Sequence, residues 1–438
     1  MWAAALSAAA MSAMPEHPPR HPRDPLGWTA AAAIVFFGLS LVRLTIPGAP
    51  YFDEVHYLPA ARALLEMSHL ANPEHPPLGK ELITLGIAVV GDRPLGWRIV
   101  PALLGALGLF AGMRALWFAS GSRFAAIAFG VLLATAFPLF VQARIAMLDG
   151  IMAGFTLVAL WMLAAALREN ETARWRLAVA GAALGCAMAA KWNAVPLAAL
   201  PGLAFFAVRV RSAGWSAVTA WRGQPIGGMT LAEAAVWLGL MPLAIYALAF
   251  APYAFLADGA VGPRGLIELH QRMLALQAQV VEPHIYQSVW YEWALNWRAI
   301  WYLYEPVDGA QRGIMLIGNP LTVLLGLPAL AWCAWAGIRH GRRDALAVAV
   351  LYAAGLGMWI VAAKPVQFYY HYLLPSCFLM AALALALDEV WKRGWRTLPL
   401  LVLIASAALF AYFWPILTAA PLDGPDAFLR WTWLDSWR

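Results

Sequence analysis

Apolar residues recur along this chain in runs of roughly 18 to 25, separated by short polar stretches, and few folds accommodate that pattern. A helix rising 1.5 Å per residue needs about 20 apolar residues to cross ~30 Å of hydrocarbon, so each run has the length of a membrane span. Successive runs fall near 27–46, 94–118, 124–143, 148–167, 175–190, 193–210, 231–252, 316–337, 345–363, 369–387 and 397–417. With 62% of its residues hydrophobic and 12% charged, the chain has too little polar material to cover a soluble core. The expected fold is an all-α polytopic membrane protein with about eleven transmembrane helices.

The 23 Trp and 13 Tyr suit many water–lipid boundaries. A net charge of +6 would raise the question of nucleic acid in a soluble chain, but here the excess lies in short loops and reads as a topology signal. Cys186, Cys333 and Cys377 sit within apolar runs without metal-ligand spacing and read as packing residues. Residues 1–26 read as a cytoplasmic tail, since the apolar start lacks basic residues and Pro15 to Asp24 is polar and proline-rich; a misplaced start codon is the alternative.

Placing the N-terminus in the cytoplasm puts Arg168, Arg174 and Arg176, then Arg209, Arg211 and Arg222, then Arg339, Arg342 and Arg343, then Lys392, Arg393 and Arg396 on the inner side. Residues 175–210 are best split into two helices at Lys191-Trp192-Asn193, because one helix would put segments 47–93 and 253–315 on opposite sides. Both long loops then share the outer side with the turns at Arg144–Asp149, Lys191–Asn193 and Lys364–Gln367. The expected division is a transmembrane module at 27–253 that includes the first outer loop, an outer loop at 254–315, and a C-terminal transmembrane module at 316–438. No fixed-period repeat and no separate soluble domain is evident.

The first outer loop opens with Tyr51-Phe52-Asp53-Glu54, two acids at a helix exit beside lipid. A carboxylate at a low-dielectric boundary can be held partly protonated and serve as a general base; the plain alternative is a solvated helix cap. His75-Pro76-Pro77-Leu78-Gly79-Lys80 is a rigid turn that delivers a lysine. Arg43, Arg98, Arg144, Asp149 and Lys191 lie near outer boundaries, and several cations on one leaflet suit an anion such as a lipid phosphate. The second loop carries His284-Ile285-Tyr286-Gln287-Ser288-Val289-Trp290-Tyr291-Glu292-Trp293, then Trp297, Trp301, Tyr302 and Tyr304, which read as an interfacial belt or as rings for sugar stacking. Upstream, Leu266, Leu269, Met273, Leu276 and Val280 recur at helical spacing, as in an amphipathic helix lying on the bilayer.

Taken in order, Arg43, Phe52-Asp53-Glu54, His75-Pro76-Pro77-Leu78-Gly79-Lys80, Gly96-Trp97-Arg98, Arg144 with Leu148-Asp149, Lys191-Trp192, the His284 to Trp293 segment, Gly318-Asn319-Pro320 and Tyr369-Tyr370-His371-Tyr372-Leu373-Leu374-Pro375 resemble the protein O-mannosyltransferases of the GT-C superfamily, specifically the bacterial members without a luminal lectin-like domain. The resemblance implies a GT-C fold with eleven spans and two long non-cytoplasmic loops. It implies transfer of mannose, with inversion, from polyprenyl-phosphate-mannose to Ser or Thr hydroxyls of exported proteins met at the secretion machinery. Asp53 would be the base and Glu54 an orienting neighbour. Arg43 and Arg98 would hold the phosphate, with His75, Lys80, Arg144, Asp149, Lys191 and His371 completing the donor site, and Tyr286, Ser288, Trp290 and Trp293 would serve the acceptor or loop. No metal or other cofactor is expected beyond the lipid-linked donor; the partners would be membrane lipids and the exported acceptor, with no nucleic acid. The implied place is the bacterial inner membrane, with the active site on the periplasmic side. Asn72-Pro73-Glu74 and Glu81 depart from the pattern by adding acids near the site. A relative acting on a lipid, lipid A or cell-wall glycan would share the same acids and arginines, whereas a lipid-saccharide transporter would call for repeated halves and midplane charges.

Overall fold

The computed structural model describes residues 23–279, 282–362 and 364–438, so most of the expected tail, and Val280, lie outside the described residues. Among the described residues, eight helices are long and apolar enough to cross a membrane. In chain order the first segments are α1 (Leu26–Leu41), α2 (Glu54–Leu65), α3 (Leu78–Val90), α4 (Pro94–Ser120), α5 (Arg123–Thr135), α6 (Pro138–Gln142), α7 (Leu148–Arg168), α8 (Ala173–Ala190) and α9 (Val195–Ala213). The shorter α1 and α5 are apolar helices too. The break expected within 175–210 is present: Lys191 is extended, a 3-10 turn over Trp192–Ala194 leads into α9, and Pro196 in the first turn of α9 has no N–H to bond back toward α8.

The first long loop, 47–93, is more ordered than its polarity suggests, since it folds into α2 and α3. The expected amphipathic helix is Pro263–Gln277, which buries Leu269 and Met273. Beyond it the aromatic stretch forms an antiparallel hairpin of β1 (Ile300–Val307) and β2 (Ala310–Leu316) that the helical reading of the loop missed. A signal was available. Asp308-Gly309 is a two-residue hairpin turn with both φ angles positive, flanked by β-branched and aromatic residues. Trp301 is therefore interior, and its indole donates to the Trp437 carbonyl, whereas Tyr291 and Trp297 are exposed.

Polar contacts separate the two ends of the helix bundle. At one end Arg174 pairs with Glu233, Arg342 with Asp344 and Glu389, Lys392 with Asp388, and Arg114 with Asp24. At the other end residues 43–93, 144–149, 191, the hairpin and the C-terminal segment are joined. The crossing of α4 and α7 sets the spacing at that second end, because α4 carries Arg98 and α7 carries Asp149. There Gly108 and Gly154 let the backbones touch: a Cβ on Gly154 would lie 2.7 Å from the Leu104 carbonyl oxygen. Gly154→Ala is expected to lower stability by about 1–3 kcal/mol, read as a fall in the melting temperature of the detergent-purified protein; an unchanged melting temperature would show that the helices can part freely.

Candidate active site

Between α1 and α2 the chain turns back on itself through two left-handed residues, Arg43 (φ 55°) and Phe52 (φ 51°). A non-glycine residue pays for that conformation, so surrounding contacts must hold it. Arg98, fully buried on α4, supplies them. Its Nε and Nη2 donate to the two carboxylate oxygens of Glu54 at 2.7 and 2.8 Å, and its remaining N–H groups reach the carbonyls of Leu44, Pro47 and Ala49. All five guanidinium donors are thereby used. Glu54, also fully buried, accepts in addition from the backbone N–H of Ala146 and of Tyr51.

This corrects two expectations. Arg98 has no donor left for a phosphate, and the Glu54 carboxylate is a fixture of the loop with no face toward a ligand. Lys80 is corrected in the same way: it is fully buried, and its ammonium donates to the carbonyls of Asn72 and His75, which stitches down the His75-Pro76-Pro77 turn. Two of the expected acceptor-loop residues are interior as well. Trp293 is completely buried and donates its indole N–H to the Ser288 hydroxyl, itself 3% exposed, whereas Tyr286 and Trp290 are half-buried.

Asp53 behaves differently from its neighbour. It is the N-cap residue of α2, yet its side chain accepts no capping hydrogen bond, although an aspartate there ordinarily takes one. Among the described residues it makes no side-chain hydrogen bond and no ion pair. Partial burial pushes its carboxyl up to about 6; the Lys191 ammonium pulls it down, Asp149 pushes it up, and His56 and Lys364 add smaller downward pulls. Phe52, just before it, is clamped in its strained conformation by stacking on Tyr302 (4.1 Å between centroids) and by an edge contact to Tyr370.

Around Asp53 the structure gathers residues far apart in sequence. Lys191 donates to Asp149 Oδ2 at 2.6 Å, with both side chains buried, and its ammonium lies 5.0 Å from the Tyr370 ring centroid. Asp149 Oδ1 has no partner, nor do Tyr302 Oη, Gln142 Oε1 and His371 Nε2, all within buried residues. His371 Nδ1 accepts the Phe368 N–H, so the neutral ring carries its proton on the unpartnered Nε2, and Trp359 stacks on the ring at 3.8 Å. His75 faces the Tyr57 ring, and burial with nearby lysines holds its imidazole well below its ordinary range, in the neutral form. Lys364, whose ammonium burial lowers to about 8, donates to Gln277 at the end of the amphipathic helix. Orphaned buried polar atoms cost about 1–3 kcal/mol each, and a cluster of them beside an uncommitted carboxylate marks a site for a polar ligand.

Arg43 and Arg144 retain donors. Arg43 bonds the carbonyl and hydroxyl of Thr418 through Nε and Nη2, and Arg144 bonds the Ser40 carbonyl through Nη1, while neither meets a carboxylate among the described residues. Sequence reasoning missed Tyr302 and Lys364 as groups acting on Asp53, and Gln142 as a residue tied to the Tyr370 carbonyl. Among the described residues no three or more His, Cys, Asp or Glu converge in a way that could hold a metal ion.

The family models for a dolichyl-phosphate-mannose-protein mannosyltransferase and for the C-terminal four-transmembrane region of protein O-mannosyltransferase match residues 74–224 and 263–437. The polyprenol-phosphate-mannose–protein mannosyltransferase of Mycolicibacterium smegmatis is 30% identical across 94% of this chain and 92% of its own length; that of Mycobacterium tuberculosis is 29% identical with the same coverage. Among solved structures, the S. cerevisiae protein O-mannosyltransferase Pmt1-Pmt2 complex bound to the sugar donor superposes with a TM-score of 0.78 at 14% identity, over 94% of this chain and 92% of that one. ArnT from Cupriavidus metallidurans bound to undecaprenyl phosphate gives 0.58 at 19% identity over 90% of this chain and 66% of that one. At those identities the two structures speak for the fold, a mostly helical GT-C membrane architecture. Near-full-length similarity to the mycobacterial enzymes goes further, and with the two family models it makes this chain a member of the polyprenyl-phosphate-mannose-dependent protein O-mannosyltransferase family.

Proposed function

We propose that the protein transfers mannose from a polyprenyl-phosphate carrier to Ser or Thr hydroxyls of exported proteins, at the extracytoplasmic face of the bacterial inner membrane. The observation that carries this reading is the Asp53 carboxylate, uncapped and unpaired among the described residues, coupled to the buried Asp149–Lys191 pair and to Tyr302, with Asp149 Oδ1 and Tyr302 Oη left unsatisfied. Membership of a family whose mycobacterial members are named for this activity supports the substrate assignment.

In the proposed reaction the acceptor hydroxyl oxygen attacks the anomeric carbon while Asp53 takes its proton. The bond from that carbon to the phosphate oxygen breaks on the opposite face of the sugar, so the configuration inverts. The departing lipid phosphate gains one negative charge. Lys191, with two N–H groups free after its bond to Asp149, and Lys364 both act on the Asp53 carboxylate; Arg43 and Arg144 offer further donors at the membrane surface. These cations supply the charge stabilisation in this reading, with no metal or other cofactor. His75 and His371 present neutral rings suited to hydrogen bonding with sugar hydroxyls.

The pH dependence follows from Asp53. The base is the ionised form, which predominates above about 6, so kcat/KM is expected to fall about tenfold per pH unit below that value and to level off above it. A flat profile from pH 4.5 to 7 would contradict a titrating base. Acceptor class is tested by mass spectrometry of exported proteins and extracted lipids from cells with and without the gene. Hexose additions on Ser or Thr that vanish with the gene are expected; loss of a hexosylated lipid with an unchanged glycoproteome would move the reaction to a lipid acceptor.

A further inference from the structure

Tyr302 takes no part in the proton transfer or in the charge stabilisation, yet its placement is specific. In the hairpin, Trp301 pairs with Met315 and Leu303 with Ile314, which leaves Tyr302 as the extra residue of a register shift. Such a bulge turns a side chain off the regular alternation and is favoured beside active sites. Here Trp301 is tied to the C-terminal segment through the Trp437 carbonyl, while the Tyr302 ring stacks on Phe52, the residue before Asp53. The ring is 4% exposed and its hydroxyl has no hydrogen-bond partner.

We propose that Tyr302 contacts the substrate, its phenol donating a hydrogen bond to a hydroxyl oxygen of the hexosyl group bound beside Asp53. The proposal rests on the transferase reading above and adds a sugar-recognising residue to it. Phe52 covers one face of the ring, so the residue acts through its O–H more readily than by stacking on a sugar. The strongest charges acting on the phenol are the carboxylates of Asp149 and Asp53, which disfavour a phosphate there and favour a neutral hydroxyl. Asp149 Oδ1 is itself unpartnered and can accept from a sugar hydroxyl, so donor and acceptor are both on offer to the amphoteric O–H groups of a hexose.

Tyr302→Phe removes one oxygen and keeps the stack on Phe52. With polyprenyl-phosphate-mannose and an acceptor peptide, kcat/KM is expected to fall about 10- to 100-fold at an unchanged melting temperature, with binding of sugar-free polyprenyl phosphate unaltered. Donors lacking one sugar hydroxyl at a time then locate the contact. One deoxy donor is expected to lose a similar factor with wild type and to lose nothing further with Tyr302→Phe, because the two changes delete the same bond. Wild-type rates with Tyr302→Phe, equal losses on every deoxy donor, or weakened binding of sugar-free polyprenyl phosphate would overturn the proposal. Should the variant fail to fold, the deoxy series on wild type decides, and full activity with every deoxy donor overturns it. Wild type that transfers from no polyprenyl-phosphate hexose overturns the transferase reading and this one together, whereas active wild type with an equally active Tyr302→Phe overturns this one alone.

Discussion

Asp53→Asn is expected to reduce transfer by about 10²–10⁴-fold while leaving the protein folded and able to bind its lipid donor. The amide matches the carboxylate in size and cannot take up the acceptor proton at neutral pH. Its cost to stability is expected to be small, because the native carboxylate caps no helix and joins no ion pair among the described residues. The loss therefore belongs in kcat, with donor affinity and melting temperature close to wild type. Retention of full transfer would remove Asp53 from the mechanism, and a collapse in melting temperature would show that its carboxylate is structural. The neighbouring acid supplies the contrast, since one position along the chain reverses both expectations.

Glu54→Ala is expected to destabilise the protein by about 3–5 kcal/mol, because it strips the buried Arg98 guanidinium of its counter-charge. It also leaves the N–H groups of Tyr51 and Ala146 without their acceptor, which loosens the loop that holds Asp53 and its attachment to the chain before α7. Activity falls as a consequence of lost structure. The diagnostic result is a double variant: Glu54→Gln with Arg98→Met is expected to be more stable than Arg98→Met or Glu54→Ala alone, since removing both charges avoids the unpaired one. A Glu54→Ala protein with the wild-type melting temperature and a selective loss of donor binding would return Glu54 to the ligand.

The contrast between these two acids also shows what a sequence can reveal. Eight long apolar helices among the described residues were legible because hydrocarbon imposes a length and forbids charge, and the break at Lys191 was legible because loop charges must alternate in side. Asp53 and Glu54 were legible as a pair. Their division of labour was not, because it depends on Arg98, 44 residues away, choosing one carboxylate over the other. Lys80 misled for the same reason: a lysine near a membrane boundary looks like an anion ligand until its carbonyl partners are known. The hairpin could have been found from Asp308-Gly309, but the interest of Tyr302 could not, since it arises from a one-residue register shift and a contact to Phe52 across 250 positions of chain. Sequence pattern reports periodicity and local turn chemistry well; which buried polar atom is left without a partner is settled by tertiary packing.

The central claim is a transfer reaction centred on Asp53, and purified protein tests it directly. The protein would be incubated with polyprenyl-phosphate-[³H]mannose of defined anomeric configuration and a Ser/Thr-rich peptide, followed by measurement of peptide-bound label and of the configuration of the new linkage. The account predicts peptide-bound mannose with inverted configuration, released by base-catalysed β-elimination and abolished by Asp53→Asn. Label that stays on the lipid, or a product of retained configuration, would contradict it.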